Sequence, residues 1–250
     1  MTDINLKIYR YNPEEESTGK FVEYKVPYVD GMVVLDAVRY VQEKIDPTLA
    51  IRWNCKAAKC GSCSAEINNK PSLMCKTRVD SIGNNISVAP MGAYPNIKDL
   101  VTDISVNWSI LRKIPKFTPM EGMEKPWRIH PGDVERSNEC KKCIECFLCQ
   151  DVCHVVREHT TNYFGPRHMV KAASMDMHPL DALDRSEFLD DEGGIGFCNI
   201  TKCCQDVCPE HIHITDNAII QEKERAADLK YDPIAMLIKR RKSRKEKVVK

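Results

Sequence analysis

Thirteen cysteines in a chain of 250 residues, gathered into three parts of the sequence, constrain the fold more than any other feature. No run reaches the roughly 18 to 20 apolar residues that cross a bilayer, and the N-terminal segment has no apolar core behind a basic start. We therefore expect neither a membrane span nor Sec export. In a reducing cytosol, cysteines at this density are not expected to form disulfides, so they indicate metal or redox chemistry. The net charge of +1 gives no basic field that would attract nucleic acid.

The first hundred residues predict a mixed α/β domain. Apolar and polar side chains alternate over 4–8 and again over 22–26, which is typical of half-buried strands. Apolar residues then recur at helical spacing over 34–45, with Asp30 as the expected cap. The pattern predicts two strands followed by a helix.

A long loop is predicted next in this domain. Residues 47–64 show no helical pattern and hold three cysteines, which indicates a functional loop. Residues 64–75 are broken by turn formers at 68–70 and predict a short hairpin, and 86–88 predict a further strand.

The second part of the sequence predicts a helical domain. Helical periodicity is expected from about Asn96, followed by a stretch over 115–131 that prolines interrupt. Gly165 and Pro166 are expected to begin one helix, and Thr215 is expected to cap another. We place the two domains at 1–104 and 105–250.

The last residues, KRRKSRKEKVVK, form a basic run. Such a run indicates a solvated tail, and attraction to anionic lipid headgroups is the alternative.

The first group of cysteines has the plant-type spacing of a [2Fe-2S] centre. Its pattern is Cys55-x4-Cys60-x2-Cys63-x11-Cys75. Three thiolates from one loop would surround one side of the cluster, Gly61 would let the backbone turn, and the fourth thiolate would return from a neighbouring strand. A tetrahedral zinc site is the alternative, but the x4 interval is unusual for zinc, which favours paired CxxC motifs.

The second group contains one cysteine too many, so its register must be chosen. The bacterial ferredoxin spacing C-x2-C-x2-C-x3-C cannot begin at Cys140, because its fourth position would then fall on Gln150. The spacing fits Cys143, Cys146, Cys149 and Cys153.

The third group lacks one cysteine in the same register. Counting backward from Cys208, the ferredoxin spacing reaches Cys204, then Thr201, then Cys198. In two-cluster ferredoxins each run gives three ligands to one cluster, and its fourth cysteine crosses to the other cluster. One predicted site therefore has four thiolates and the other has three.

The four-thiolate site is predicted to hold [4Fe-4S], and the three-thiolate site is predicted to hold [3Fe-4S] because a threonine hydroxyl is a poor iron ligand. Cys203 is an alternative fourth ligand, although its adjacency to Cys204 makes joint ligation awkward. Otherwise Cys140 and Cys203 are expected to be buried structural thiols. The predicted ligands are Cys143, Cys146, Cys149 and Cys208 for [4Fe-4S], and Cys153, Cys198 and Cys204 for [3Fe-4S].

These motifs resemble the iron-sulfur subunit of succinate dehydrogenase/fumarate reductase, the succinate:quinone oxidoreductase family. The resemblance covers nearly the whole chain and is greatest to the actinobacterial type, through RWNCKAAKCGSCSAEINNKPSLMC, KCIECFLCQDVCHVVREH and CNITKCCQDVCPEHI. It implies an α+β fold, with an N-terminal β-grasp plant-type [2Fe-2S] ferredoxin domain followed by an all-α bacterial-ferredoxin-like domain.

The resemblance also implies partners and a function. The chain would relay electrons from FAD on a flavoprotein subunit through [2Fe-2S], [4Fe-4S] and [3Fe-4S] to the quinone of a membrane anchor subunit. It would lie peripherally on the cytoplasmic face of a bacterial inner membrane. We expect no catalytic residue on this chain, which shows no GxGxxG motif, Walker loop or Ser/His/Asp arrangement.

The chain departs from ubiquinone-using relatives near the predicted quinone end. Those relatives carry a proline directly after the cysteine at the Cys153 position and a tryptophan a few residues later, where this chain has His154 and Glu158. They also carry a histidine at the position of Asn199. Menaquinone is therefore the expected quinone. His154 either donates to a cluster sulfur or relays a proton, or it is a surface residue.

Two rival interpretations remain. The iron-sulfur subunit of a thiol-dependent, heterodisulfide-reductase-like fumarate reductase would carry CCG repeats, and here Cys203 and Cys204 precede Gln205. A structural zinc protein would be colourless, whereas iron-sulfur clusters absorb visible light. The pair His211 and His213 more simply straddles a turn than binds a metal.

Overall fold

The computed structural model describes residues 3–15, 17–159 and 162–233. Among the described residues, the N-terminal half is built from seven short strands, of which the first five begin and end close to the predicted positions. The strands are β1 Ile4–Arg10, β2 Lys20–Val26, β3 Ser64–Ile67, β4 Lys70–Leu73, β5 Asn85–Ala89, β6 Asn96–Lys98 and β7 Val101–Thr102.

Five of these strands form one mixed sheet in the order β2-β1-β5-β3-β4. β1 and β5 run parallel, and the other neighbours are antiparallel. The alternation read from the sequence has its physical counterpart in β1, where Ile4, Leu6 and Ile8 are buried and the intervening side chains face solvent. Asn68 and Asn69 both adopt left-handed backbone angles, as a two-residue hairpin requires. This sheet confirms the β-grasp arrangement.

The helix over the sheet occupies the predicted residues 34–45 but does not have the predicted cap. It runs from Val34 to Tyr40 and continues as a wider, π-helical turn over Val41–Ile45. The prediction that Asp30 caps it was wrong, because the cap position is Val33, whose amide donates to the carboxylate of Asp36 at 3.3 Å. Val33 also forms an isolated β-bridge with Arg78.

The prediction of helical structure from about Asn96 was also wrong, because a hairpin of β6 and β7 precedes the helix. Asp99 lies at its turn in a left-handed conformation, and its buried carboxylate accepts hydrogen bonds from Arg10 Nε and the Tyr11 amide, both at 2.9 Å. The same carboxylate accepts from the Ala50 amide at 2.7 Å. These long-range hydrogen bonds override the local periodicity, and the helix begins only at Ser105.

The second half is helical, as predicted. One helix begins at Pro166 behind Gly165, in agreement with the sequence. Thr215 is not a cap, because the last helical segment already begins at Ile214 with a π-helical turn. The α-helices are α1 Val34–Tyr40, α2 Val79–Ile82, α3 Ser105–Lys113, α4 Glu135–Lys141, α5 Leu148–Asp151, α6 His154–Glu158, α7 Pro166–Asp176, α8 Ser186–Asp191, α9 Cys203–Asp206 and α10 Ile220–Tyr231.

Apolar side chains of α4, α7, α10 and the segments between them form a second core, separate from that of the sheet. In the part of the chain that is described, no helix is long and apolar enough to cross a membrane. The predicted basic tail lies outside the described residues.

The two halves meet where their cysteine loops meet. Cys146 and Leu148, from the second half, are buried in the core of the sheet. The Ser64 hydroxyl at the start of β3 lies 2.9 Å from the Cys146 carbonyl oxygen. Arg157 pairs with Glu66 on β3 and with Asp151 on α5. These contacts hold the cysteine loops of the two halves directly against each other.

Candidate iron-sulfur centres

The loop that carries the first cysteines folds its amides around sulfur atoms. Cys55 Sγ accepts hydrogen bonds from the amides of Ala57 and Lys59 at 3.3 and 3.4 Å. Cys60 Sγ accepts one from the Cys55 amide at 3.5 Å. Lys56 and Ala58 adopt left-handed angles, which turn alternate amides toward the sulfur. Such N–H···S bonds stabilise thiolates, the form of cysteine that binds iron.

The thiols of this loop differ in how readily they ionise. Burial opposes ionisation of Cys60, but hydrogen bonds from Ser62 and from the Cys55 amide outweigh it and lower the pKa of Cys60 to about 6. Burial raises the pKa of Cys63, which lies close to Cys60 and Cys75, to about 12. The hairpin of β3 and β4 brings Cys75 back to this loop, and the Met74 amide donates to the Cys63 carbonyl at 3.0 Å. The four predicted [2Fe-2S] ligands therefore lie around one loop and its adjoining hairpin.

Gly61 is in contact with the second group of cysteines. A Cβ atom built on Gly61 would lie 2.6 Å from the backbone Cα of Cys146, and the Gly61 φ angle is +68°. Both facts disfavour a side chain at this position. The sequence indicated a glycine for the turn alone, and the close approach between the two cysteine loops had no local signal.

Three cysteines of the second group and Cys208 of the third group line one pocket. Cys143, Cys146, Cys149 and Cys208 line one cavity of about 370 Å³, its opening to solvent included. Burial raises the pKa of Cys146 to about 12 and that of Cys149 well above its ordinary value. A buried thiolate needs a cation in contact with it. The apolar wall of this cavity and its four thiols therefore fit a cluster whose irons supply that charge.

Arg167 also lines this cavity, and one of its hydrogen-bond donors is unpaired among the described residues. This side chain is 5% exposed and lines the cavity beside Cys143. Its Nη2 donates to Glu145 at 2.5 Å, whereas its buried Nε has no hydrogen-bond partner among the described residues. An unpaired buried donor is rare in a folded protein and calls for a ligand or water. The unpaired Nε of Arg167 fits a cluster whose sulfur atoms accept hydrogen bonds. Nothing in the sequence near Arg167 indicated this role.

The fold also brings Cys153 of the second group close to cysteines of the third group. Cys153, Cys198, Cys203 and Cys204 lie close enough together for their charges to interact, and burial raises the pKa of Cys204 to about 12. The buried side chain of Tyr163 packs in one cluster with Cys153, Cys198 and Cys204, and its hydroxyl makes no hydrogen bond of ordinary geometry to a described residue. This second unpaired donor faces the predicted three-ligand site, and it too was missed from the sequence.

The two cysteines that were not predicted as ligands, Cys140 and Cys203, differ in burial. Cys140 is buried and its pKa is raised to about 12 by burial, as expected of a structural thiol. The expectation that Cys203 is buried was wrong, because it is half-exposed at the start of α9. Its Sγ lies 3.4 Å from the hydroxyl of Thr201, which is exposed. Cys203 therefore remains an alternative fourth ligand.

The histidines show no arrangement typical of a metal site. His213 pairs with Glu139 at 2.6 Å. His154 is exposed, and its Nε2 is 2.8 Å from Asn199 Nδ2. No three His, Cys, Asp or Glu side chains among the described residues converge on the position of one metal ion. The ligands of a multi-iron cluster are separated by the cluster itself, so they need not converge in that way.

Two family models match the chain, one in each half. A "2Fe-2S iron-sulfur cluster binding domain" matches residues 5–109, and a "4Fe-4S dicluster domain" matches residues 139–212. The matched ranges contain every predicted ligand.

Individual proteins are similar over most of the chain. The fumarate reductase iron-sulfur subunit of Mycobacterium tuberculosis is 31% identical over 222 residues, which are 85% of this chain and 88% of that protein. One chain of the CoM/CoB fumarate reductase of Methanothermobacter marburgensis is 31% identical over 225 residues, which are 89% of this chain but 44% of that protein. A chain of the Mycobacterium smegmatis Sdh1 complex in the apo form is 52% identical, with a TM-score of 0.89, over 93% of this chain and 99% of that chain.

Proposed function

Since the chain belongs to the family of succinate dehydrogenase and fumarate reductase iron-sulfur subunits, we propose that it carries electrons between the FAD of a flavoprotein partner and a membrane quinone. The observation that carries this proposal is the arrangement of three cysteine groups in one packed unit, with Gly61 of the first group against the backbone of Cys146 in the second. When bound, iron-sulfur clusters supply one-electron carriers in such a unit. The chain is thus a subunit of an oxidoreductase complex.

The proposed ligand sets use the first cysteine group as it stands and exchange Cys153 and Cys208 between the second and third groups. The buried donors Arg167 and Tyr163, which lack partners among the described residues, support the second and third ligand sets. The half-exposed Cys203 is assigned no iron in this proposal. The ligands are Cys55, Cys60, Cys63 and Cys75 for [2Fe-2S], Cys143, Cys146, Cys149 and Cys208 for [4Fe-4S], and Cys153, Cys198 and Cys204 for [3Fe-4S].

We also propose that the domains divide at 104/105. The helix that begins at Ser105 supports this division, because its residues Ile110 and Leu111 pack against the core of the second half. Leu100, just before the division, packs against the core of the sheet.

The partners are proposed to be an FAD-containing flavoprotein and a quinone-binding membrane anchor, which would hold the chain on the cytoplasmic face of a bacterial inner membrane. Menaquinone is the proposed quinone. Its support is the set of His154, Glu158 and Asn199 in place of the residues that ubiquinone-using relatives carry, and His154 and Asn199 lie in contact beside Cys153 and Cys198.

The test of this function is an EPR redox titration of the complex purified through this chain. We expect a flavoprotein to co-purify and signals of three separate centres to appear, with iron and no stoichiometric zinc. The chain freed of its partners is expected to reduce no acceptor with succinate. A single type of centre, zinc in the cysteine sites, or succinate oxidation by the isolated chain would each overturn the proposal.

Loss of the Arg167 charge is expected to lower the reduction potential of the [4Fe-4S] centre. A reduced cluster is more negative than an oxidised one, so a buried cation beside Cys143 favours reduction. Arg167→Gln keeps a donor but removes the charge, and we expect the reduction equilibrium to weaken about tenfold, which is about 59 mV for one electron. Lys171→Gln removes a charge from the exposed side of the same helix and should leave that potential unchanged. Equal shifts in both variants would contradict the local role of Arg167.

A further inference from the structure

The hydroxyl of Tyr163 is a buried donor near the proposed third centre and has no hydrogen-bond partner among the described residues. The Tyr163 side chain is 1% exposed, between α6 and α7. Tyr163 packs in the same buried cluster as Cys153 and Cys204, with Cys198 packed against that cluster, and its hydroxyl forms no hydrogen bond of ordinary geometry with any described residue. A phenol with its hydroxyl left unpaired in the interior loses the hydrogen bond it would make to water.

The backbone around Tyr163 is fixed by a glycine pair on a neighbouring segment. The Phe164 amide donates to the Gly193 carbonyl at 3.0 Å. A Cβ atom on Gly194 would lie 1.7 Å from the Asn162 carbonyl oxygen and 3.2 Å from the Tyr163 Cα. The backbone at Tyr163 is therefore packed closely against this segment, which fixes the point from which the buried ring extends.

The charge state of Tyr163 suits a donor. The pKa of a phenol is ordinarily about 10, so the Tyr163 hydroxyl keeps its proton at neutral pH. A neutral phenol beside sulfur can donate one O–H···S hydrogen bond. Phe at this position would fill the same space without a donor.

We propose that Tyr163 donates a hydrogen bond to a sulfur of the centre held by Cys153, Cys198 and Cys204 and thereby raises the reduction potential of that centre. This inference rests on the proposed function. Reduction adds one electron to the centre and makes its sulfur atoms more negative, so a hydrogen bond to them stabilises the reduced form more than the oxidised form. The Tyr163 O–H bond stays intact, and no proton is transferred.

The proposal is tested in the assembled complex with Tyr163→Phe. An EPR titration with dithionite and mediators is expected to show the reduction equilibrium of the third centre weakened about tenfold, a shift of about 59 mV to lower potential for one electron. The potentials of the other two centres should not move. An unchanged potential for the third centre would overturn the proposal.

Tyr94→Phe is the matched control, because Tyr94 is also buried but its hydroxyl already pairs with Asn107 at 3.3 Å. This change removes a buried hydroxyl that lies away from the third centre. The reduction potential of the third centre should therefore stay at the parent value. An equal shift in both variants would mean that the potential responds to the loss of any buried hydroxyl, and it would overturn the role of Tyr163.

A second variant covers the case in which Tyr163→Phe does not assemble. Incorporation of 3-fluorotyrosine at 163 keeps the ring and makes its hydroxyl a stronger donor, so the potential of the third centre should rise. A fall or no change would count against the proposal. If the parent holds a centre of another type there, the cluster assignment in the proposed function fails, and the potentials of that centre in parent and variants still decide the inference about Tyr163.

Discussion

Replacing Thr201 with cysteine is expected to convert the third centre from [3Fe-4S] to [4Fe-4S]. Thr201 occupies the position of the missing ligand in the ferredoxin register of Cys198, Cys204 and Cys208. A thiolate there would hold a fourth iron. The EPR signal of the oxidised [3Fe-4S] centre should be present in the parent complex and absent from the variant.

The same change is expected to lower the potential of the third centre strongly. Reduction potentials of iron-sulfur centres depend on cluster type and net charge, and a drop on the order of 200 mV would weaken a one-electron reduction by about three powers of ten. Electron delivery to quinone should slow by a large factor, while succinate oxidation with an acceptor that takes electrons from the flavin persists. Equal losses of both activities would point to a folding defect instead.

Thr201→Ser is the matched control, since it keeps a hydroxyl and adds no thiolate. It should retain the three-iron signal. Cys203 requires a second comparison, because its sulfur lies 3.4 Å from the Thr201 hydroxyl. If the parent complex prepared without oxygen already lacks the [3Fe-4S] signal, and Cys203→Ser restores it, Cys203 is the fourth ligand and the three-ligand assignment is wrong.

Cysteine spacing predicted the fold well because iron-sulfur ligation imposes fixed distances along the chain. The register of the runs ending at Cys153 and Cys208 needs no tertiary information. The strands at 4–10 and 20–26 were equally readable, since one face of each is buried. These features are local in sequence, so local patterns predict them.

The errors occurred where distant residues determine local structure. Asp99 adopts a left-handed turn because its carboxylate bonds to the chain at Arg10 and Ala50, and no window around Asp99 contains either residue. Arg167 and Tyr163 were missed for the same reason. Each is identified by a buried donor without a partner among the described residues, and a sequence pattern does not show which donors are left unpaired.

Replacing Gly61 with alanine is expected to be the most destabilising single methyl addition in the first cysteine loop. Carbon atoms in contact normally lie about 3.5–4.0 Å apart. The new Cβ would lie 2.6 Å from the Cys146 Cα, which is backbone and cannot rotate away. A left-handed alanine costs about 1–2 kcal/mol by itself. With the overlap added, we expect about 3–4 kcal/mol in total, near the upper end of single-substitution effects.

Gly31→Ala separates the two contributions. Gly31 also has a left-handed φ angle, +78°, but a Cβ there would meet no atom within 4 Å. It should therefore cost only the backbone strain. For a chain of this size 1 kcal/mol corresponds to about 2–4 °C in melting temperature, so Gly61→Ala should melt several degrees below Gly31→Ala when both are measured in the complex. Equal melting temperatures would show that the contact with Cys146 is not tight.

The position of the overlap gives this prediction a functional readout as well. Relief of the clash requires the loop of Cys60 and Cys63 to move away from the backbone of Cys146, and the Ser64 hydroxyl, 2.9 Å from the Cys146 carbonyl oxygen, would lose that contact. Rapid-freeze EPR after mixing with succinate should then show normal reduction of the [2Fe-2S] centre and delayed reduction of the third centre. Gly31→Ala, which leaves the two loops in place, should show no such delay. A delay of the same size in both variants would mean that the separation of the cysteine groups is not governed by the glycine at 61.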